Sequence, residues 1–145
     1  MDYQKLTKDE LITIVRQFQS ERMQNPSAIV ESIRKHKLDY NRESFLLIVL
    51  NNKLKILKSK VLFTGGTDQA LVDIKILMRE AITTKRVSGI VIAHNHPSGD
   101  CTPSREDITL VNKMKEACKL LEIHFIDSII FTEIDSLSMK EQNLL

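Results

Sequence analysis

The stretch from Ile92 to Asp107 reads IAHNHPSGDCTPSRED, and it holds most of the side chains in this protein that could do chemistry. Two histidines stand one residue apart at the end of an apolar run, a Pro/Gly/Ser-rich bend follows, and acids close it. On an extended chain, residues two apart face the same way. His94 and His96 therefore share a face with Ile90 and Ile92, while Asn95 points to the other. At ~3.3 Å rise per residue the two imidazoles lie about 6–7 Å apart along the strand and can lean onto one ion. Pro97 stops the ladder, and PSGDCTP bends the chain back.

The helix after the bend adds a third donor. With Asp107 as origin and 100° per residue, Val111, Met114, Cys118 and Leu121 fall at roughly +40°, −20°, +20° and −40°. Asp107 thus sits at the centre of the apolar stripe, whereas Glu106 is turned about 100° away and Asp100 precedes the helix. A carboxylate aimed at the core is costly unless something compensates it. A cation shared with His94 and His96 would do so. Two neutral imidazoles and one carboxylate make a three-ligand site that leaves a fourth zinc position open for water, and such a metal brings the pKa of that water towards ~7. The candidate general base is Glu43 in NRESFLLIVL, at the mouth of an apolar strand and on the same face as Phe45, Leu47 and Val49. Ser104, at about +60° on the helix, is placed to donate to a developing oxyanion.

Each residue also has an ordinary reading. An H-x-H pair is commonly one satisfied core histidine and one exposed histidine. Asp107 could be a favourable first-turn acid, Ser104 its N-cap, and Glu43 a solvated strand end. Only the joint pattern points to a metal. His36 and His124 have no such company and are read as structural or surface residues, and Cys101 is a weak candidate for a stray ligand. Because only neutral imidazole binds zinc, the metal is expected to leave at about pH 5–6.

The elements that must position these groups follow from the periodicity. Thr7 and Glu10 make a capping box before Leu11, Ile14, Val15 and Phe18 at helical spacing. A second helix is expected from Asn25 as N-cap and Pro26 at its first position. SFLLIVLNNKLKILKSKVLFTGG reads as two strands joined by a turn near Asn51-Asn52. Its lysines Lys53, Lys55, Lys58 and Lys60 either touch phosphates or keep an edge strand soluble, and the second reading is preferred. Ile74, Leu77, Met78, Ala81 and Ile82 form one stripe of a helix over 71–84. SGIVIAHNH is a strand apolar on both faces, as a central strand is. A helix capped by Ser104 runs to about Leu121, and IHFIDSIIFTE and SLSMK are short strands. Helices alternate with strands, so the class is α/β with the sheet between helices.

At 145 residues, 42% hydrophobic and 28% charged, the chain has the composition of one folded domain. A net charge of +2 is too small to argue for nucleic acid or membrane. Cys101 and Cys118 form no C-x-x-C pair, so a reducing compartment is expected. No apolar run approaches the roughly 18 residues of a membrane span, and Met1-Asp2-Tyr3-Gln4 carries no signal-peptide pattern. A cytoplasmic protein is the expectation.

His94-x-His96-x7-Ser104-x2-Asp107 matches the JAMM motif of the JAB/MPN metalloprotease family, and HNHPSGDCTPSREDI with ESFLLIVLNNKLKIL resembles its RadC branch. The resemblance runs from Asn25 to Leu145 as a RadC-like domain, leaving 1–24 as an N-terminal helical extension. It implies a three-layer α/β/α sandwich with a mixed sheet, cytidine-deaminase-like, and a zinc hydrolase of peptide or isopeptide bonds. Carried over, His94, His96 and Asp107 are zinc ligands, Glu43 is the acid/base and Ser104 the oxyanion donor. The deaminase signature H-x-E with P-C-x-x-C is absent, and the contiguous letters HNH do not resemble the dispersed residues of HNH nucleases. Full-length RadC proteins carry a helix-hairpin-helix-like N-terminal region associated with DNA, which this short segment does not resemble. A DNA-associated module, perhaps a nuclease, and a metal-stabilised interaction domain without turnover are the competing readings.

Overall fold

A run such as SFLLIVL, with no charged side chain, is stable only where both of its faces are covered. The computed structural model describes residues 5–14, 26–65 and 72–145, and in it all seven residues of this strand, β1 (Ser44–Leu50), are buried. Residues 8–14 are helical (α1). The remaining elements are α2 (Pro26–Arg34), β2 (Ile56–Thr64), α3 (Ile74–Ile82), β3 (Gly89–Asn95), α4 (Arg105–Leu120), β4 (His124–Phe131) and β5 (Ser136–Ser138). The five strands form one mixed sheet in the order β2-β1-β3-β4-β5. Only β3 and β4 pair in parallel, joined by α4 as the crossover helix.

The side-chain alternation of β1 and β3 divides the core in two. Phe45, Leu47, Val49, Ile90 and Ile92 pack against Leu77, Met78 and Ala81 of α3 and Met114 and Cys118 of α4. Leu46, Ile48, Leu50, Val91 and Ala93 face the other way and pack with Ile29 and Ile33 of α2. The architecture is the expected α/β/α sandwich. The Arg34 guanidinium at the end of α2 donates to the carbonyls of Thr132, Glu133 and Asp135 at 3.1, 2.8 and 3.2 Å, tying that layer to the turn between β4 and β5.

Local signals act as read. Thr7 N–H donates to Glu10 Oε2 at 2.9 Å and Glu10 N–H to Thr7 Oγ1 at 3.2 Å, a reciprocal capping box. Asn51 Oδ1 accepts from the Lys53 and Lys55 amides, which closes the turn into β2. β2 is an edge strand. Its Lys58 and Lys60 both reach Glu80 of α3, at 3.2 and 2.9 Å, so two of the four hairpin lysines are engaged within the fold. The hydrogen bonds from Lys60 and then Lys58 hold the Glu80 carboxyl below its usual range.

Three expectations need adjustment. α3 begins at Ile74 rather than Leu71, because Asp73 accepts from the Lys75 amide as its N-cap. Leu71 itself lies outside the described residues, as do Asn25, Val15 and Phe18. Ile82 and Leu121, placed on apolar stripes by helical phase, are 52% and 45% exposed. Ile82 is the last residue of its helix and Leu121 follows the last residue of its own, so helical phase alone does not bury them. Among the described residues no helix is long and apolar enough to cross a membrane.

Asp127 of β4 is a buried acid outside the histidine cluster. Its Oδ1 accepts from the Ser128 and Lys140 amides at 2.7 and 3.0 Å, and its Oδ2 from the Ser138 hydroxyl. Burial nonetheless pushes its carboxyl above the usual range. Asp127→Ala leaves those donors unpaired and should lower the unfolding free energy by about 2 kcal/mol or more in urea titrations. Asp127→Asn keeps the acceptor for both amides and should lose much less. In the wild type the folded state binds the proton more tightly than the unfolded chain. Stability therefore falls as pH rises from the ordinary carboxylate range through the raised folded pKa, a slope that Asp127→Asn should lack. Equal slopes would contradict this account.

Candidate metal centre

The register of the sheet builds the site. Phe45 of β1 lies opposite His94 of β3, so the two share a face, and their rings stack 5.7 Å apart at an interplanar angle of 9°. Glu43 stands two residues before Phe45, just outside β1, and lines the same cavity as His94. β3 ends at Asn95, and the His96 amide bonds the Phe131 carbonyl of β4 at 3.1 Å. The chain then turns sharply: the Gly99 amide bonds the His96 carbonyl at 3.0 Å, with Gly99 at φ 83. Glycine adopts that conformation without the penalty a side chain would bring.

The turn returns the Asp100 carbonyl to His96 Nδ1 at 2.8 Å. A carbonyl only accepts, so Nδ1 carries the proton, and in neutral His96 the lone pair lies on Nε2. That Nε2 is 3.1 Å from His94 Nε2 and 3.2 Å from Asp107 Oδ2. His94 Nε2 is 2.9 Å from Asp107 Oδ1. His94 Nδ1 is buried without a hydrogen-bond partner among the described residues.

Asp107 reaches the histidines from the first turn of α4, where it also completes the helix cap. The Ser104 amide donates to Asp107 Oδ2 at 2.8 Å, and the Asp107 amide donates to Ser104 Oγ at 3.1 Å. The residue is 5% exposed. Burial alone would raise its carboxyl, but hydrogen bonds from His94 and His96 overcome that and hold it far below the usual range. The same contact with Asp107 raises His96, against the opposing effect of burial.

These donors suit a cation. Ligand atoms bound at about 2.0–2.1 Å around a tetrahedral zinc stand roughly 3.3 Å apart, close to the separations found here. His94, His96 and Asp107 form the group able to hold a metal among the described residues. With two nitrogens and one oxygen, the set leaves a coordination position for water.

A cavity of about 310 Å³ opens beside the centre, and Glu43, Phe45, His94 and Asp107 line it. Glu43 is half-buried. Loss of solvation raises its carboxyl above the ordinary value, while His94 and His96 pull the other way. Ser104 stands at the helix cap next to Asp107 and is not among the side chains lining the cavity. The other candidates lie apart. Cys101 packs towards Val111, Ile130 and Met139, His36 Nε2 meets Ser59 Oγ at 2.9 Å, and His124 is exposed at the start of β4.

Asn95 has a role that its alternation alone did not reveal. Its Oδ1 accepts from the Ser44 amide at 2.6 Å, and its Nδ2 donates to the Arg42 carbonyl at 2.9 Å. It thereby clamps the backbone on both sides of Glu43, whose own carbonyl accepts from the Gly65 amide at 2.9 Å. The available signal was a polar side chain, between the two histidines, aimed at the wholly apolar face of a central strand. Asn95→Ala should cost about 1–3 kcal/mol in urea unfolding, since it leaves a buried amide and carbonyl unpaired. Asn95→Asp keeps the acceptor but opposes a carboxylate to the Arg42 carbonyl, so it should also destabilise. Wild-type stability in both variants would refute the clamp.

Comparison with known proteins agrees with this geometry. The RadC-like JAB domain family matches residues 23–144. A UPF0758 protein of Clostridium perfringens is 35% identical over 124 residues, 86% of this chain and 54% of its own length. One from Geotalea uraniireducens is 34% identical over 131 residues, covering 90% and 57%. One from Actinobacillus pleuropneumoniae is 38% identical over 101 residues, covering 70% and 46%. The chain thus spans about half the length of the curated relatives it matches. On the extent of that match and on the His94–His96–Asp107 cluster it carries, the chain belongs to the RadC-like JAB domain family.

Proposed function

We propose that the chain is a zinc-dependent hydrolase of amide bonds, a metallopeptidase or isopeptidase in which water attacks directly and no covalent enzyme intermediate forms. The observation that carries the reading is the convergence of His94 Nε2, His96 Nε2 and the Asp107 carboxylate within 3.2 Å, with Glu43 in the same cavity. Zinc bound by these residues would acidify water and polarise the scissile carbonyl.

The remaining chemistry belongs to the chain. Glu43, with its carboxyl raised by loss of solvation, accepts a proton from the attacking water and delivers it to the leaving nitrogen as the C–N bond breaks. Water supplies the oxygen of the new carboxylate, and nothing is oxidised or reduced. The Ser104 hydroxyl accepts from the Asp107 amide, and its own proton remains available for the developing oxyanion. The Phe45 ring stacked on His94 excludes water from one side of the imidazole.

The DNA-associated reading draws less support, because Lys58 and Lys60 are paired with Glu80. The interaction-domain reading is separated from ours by turnover. Metal analysis of untagged protein should find about one zinc per chain, lost in His96→Ala. Glu43→Gln should retain the metal while peptide or isopeptide hydrolysis drops roughly 10²–10⁴-fold. Hydrolysis unchanged in Glu43→Gln, or no zinc bound when it is supplied, would overturn the proposal.

A further inference from the structure

The cavity beside the centre extends along α4 and the start of α3, and its walls differ in character along their length. Phe45, Val72, Ile74 and Leu110 supply an apolar surface. Glu106, in the first turn of α4, adds a second carboxylate to the cavity wall. Lys113 lines the cavity six residues beyond Asp107, which is about 9 Å along the helix axis. Lys113 is exposed, and neither it nor Arg105 at the lip takes part in an ion pair among the described residues.

We infer that this groove selects an unfolded peptide segment with an apolar side chain next to the scissile amide and a carboxylate two to three residues further along. The inference rests on the hydrolase reading above and adds its substrate class. An extended chain advances ~3.3 Å per residue. The axial rise of about 9 Å between Asp107 and Lys113 therefore corresponds to two to three residues of such a chain. An acid immediately beside the scissile bond meets Glu43 instead, and is rejected by like charge. A volume of about 310 Å³ lies at the small end of ligand sites. It has room for one apolar side chain with a short length of backbone.

The test is digestion of a randomised octapeptide library by zinc-loaded protein, wild type beside Lys113→Glu, with the products sequenced by mass spectrometry. Wild-type cuts should be enriched for Leu, Ile, Met or Phe at the cleavage site and for Asp or Glu two to three residues away. In Lys113→Glu the acidic enrichment should fall by about tenfold or more, equivalent to roughly 1.4 kcal/mol, and Lys or Arg should replace it at unchanged zinc content. The same charge preference in both proteins would overturn the groove while leaving the hydrolase reading intact. If no peptide is cut, the reading as a peptidase of linear chains fails, and the groove is judged by passing the same library over each immobilised protein. Retention of apolar–acidic peptides by the wild type alone supports it, and no selective retention overturns it.

Discussion

A carboxylate at the bottom of a helix cap, turned into the core against two imidazoles, is the constraint on which the rest of this structure depends. Asp107 has to satisfy the first turn of α4 through the Ser104 amide and still present both oxygens to His94 and His96. That double duty is possible because Ser104 and Asp107 answer each other across the cap. The carboxylate rotamer is thereby fixed before any cation is considered. A buried charge without such compensation would be expelled or neutralised. Here the surrounding donors keep it ionised and hold the first turn of α4 against His94 and His96.

The histidine strand solves a second problem with the same residues. Alternation sends His94 and His96 to the α3/α4 side and Asn95 to the α2 side. Three consecutive side chains therefore serve both faces of the sheet. On one face they gather around Asp107, and on the other Asn95 grips Arg42 and Ser44. Glu43 is a strand-end residue held by a side chain from the neighbouring strand, so its placement is tied to that of the histidines. Electrostatics match this arrangement. Burial lifts Glu43 above its ordinary range, whereas Asp107 is pushed down by the imidazoles. Two carboxylates in one cavity are thus perturbed in opposite directions.

The positions of His94, His96 and Asp107 were legible from sequence because two simple periods, two along a strand and 3.6 along a helix, point all three inward. The apolar runs of β1 and β3 announced a covered sheet for the same reason. The ordinary readings of Ser104 as N-cap and Asp107 as first-turn acid also hold, together with the constellation they were weighed against. What the periods could not give was anything decided by neighbours distant in sequence. The clamp by Asn95 depends on β1 pairing with β3. The bond from His96 to the Asp100 carbonyl depends on the φ of Gly99. The exposure of Ile82 and Leu121 belongs to the ends of their helices, which the periodicity does not mark.

The pairing of Phe45 with His94 carries a consequence for assembly. The three groups that converge on the cation position lie within residues 94–107, a single strand, turn and helix cap. Glu43 joins them only when β1 closes against β3 across an intervening span that includes β2 and α3. The entropy of closing a loop must be met before such a contact is rewarded, and contacts of long sequence separation form slowly. The groups within residues 94–107 can therefore gather before Glu43 joins them, and the cavity wall is completed only by the pairing of β1 with β3.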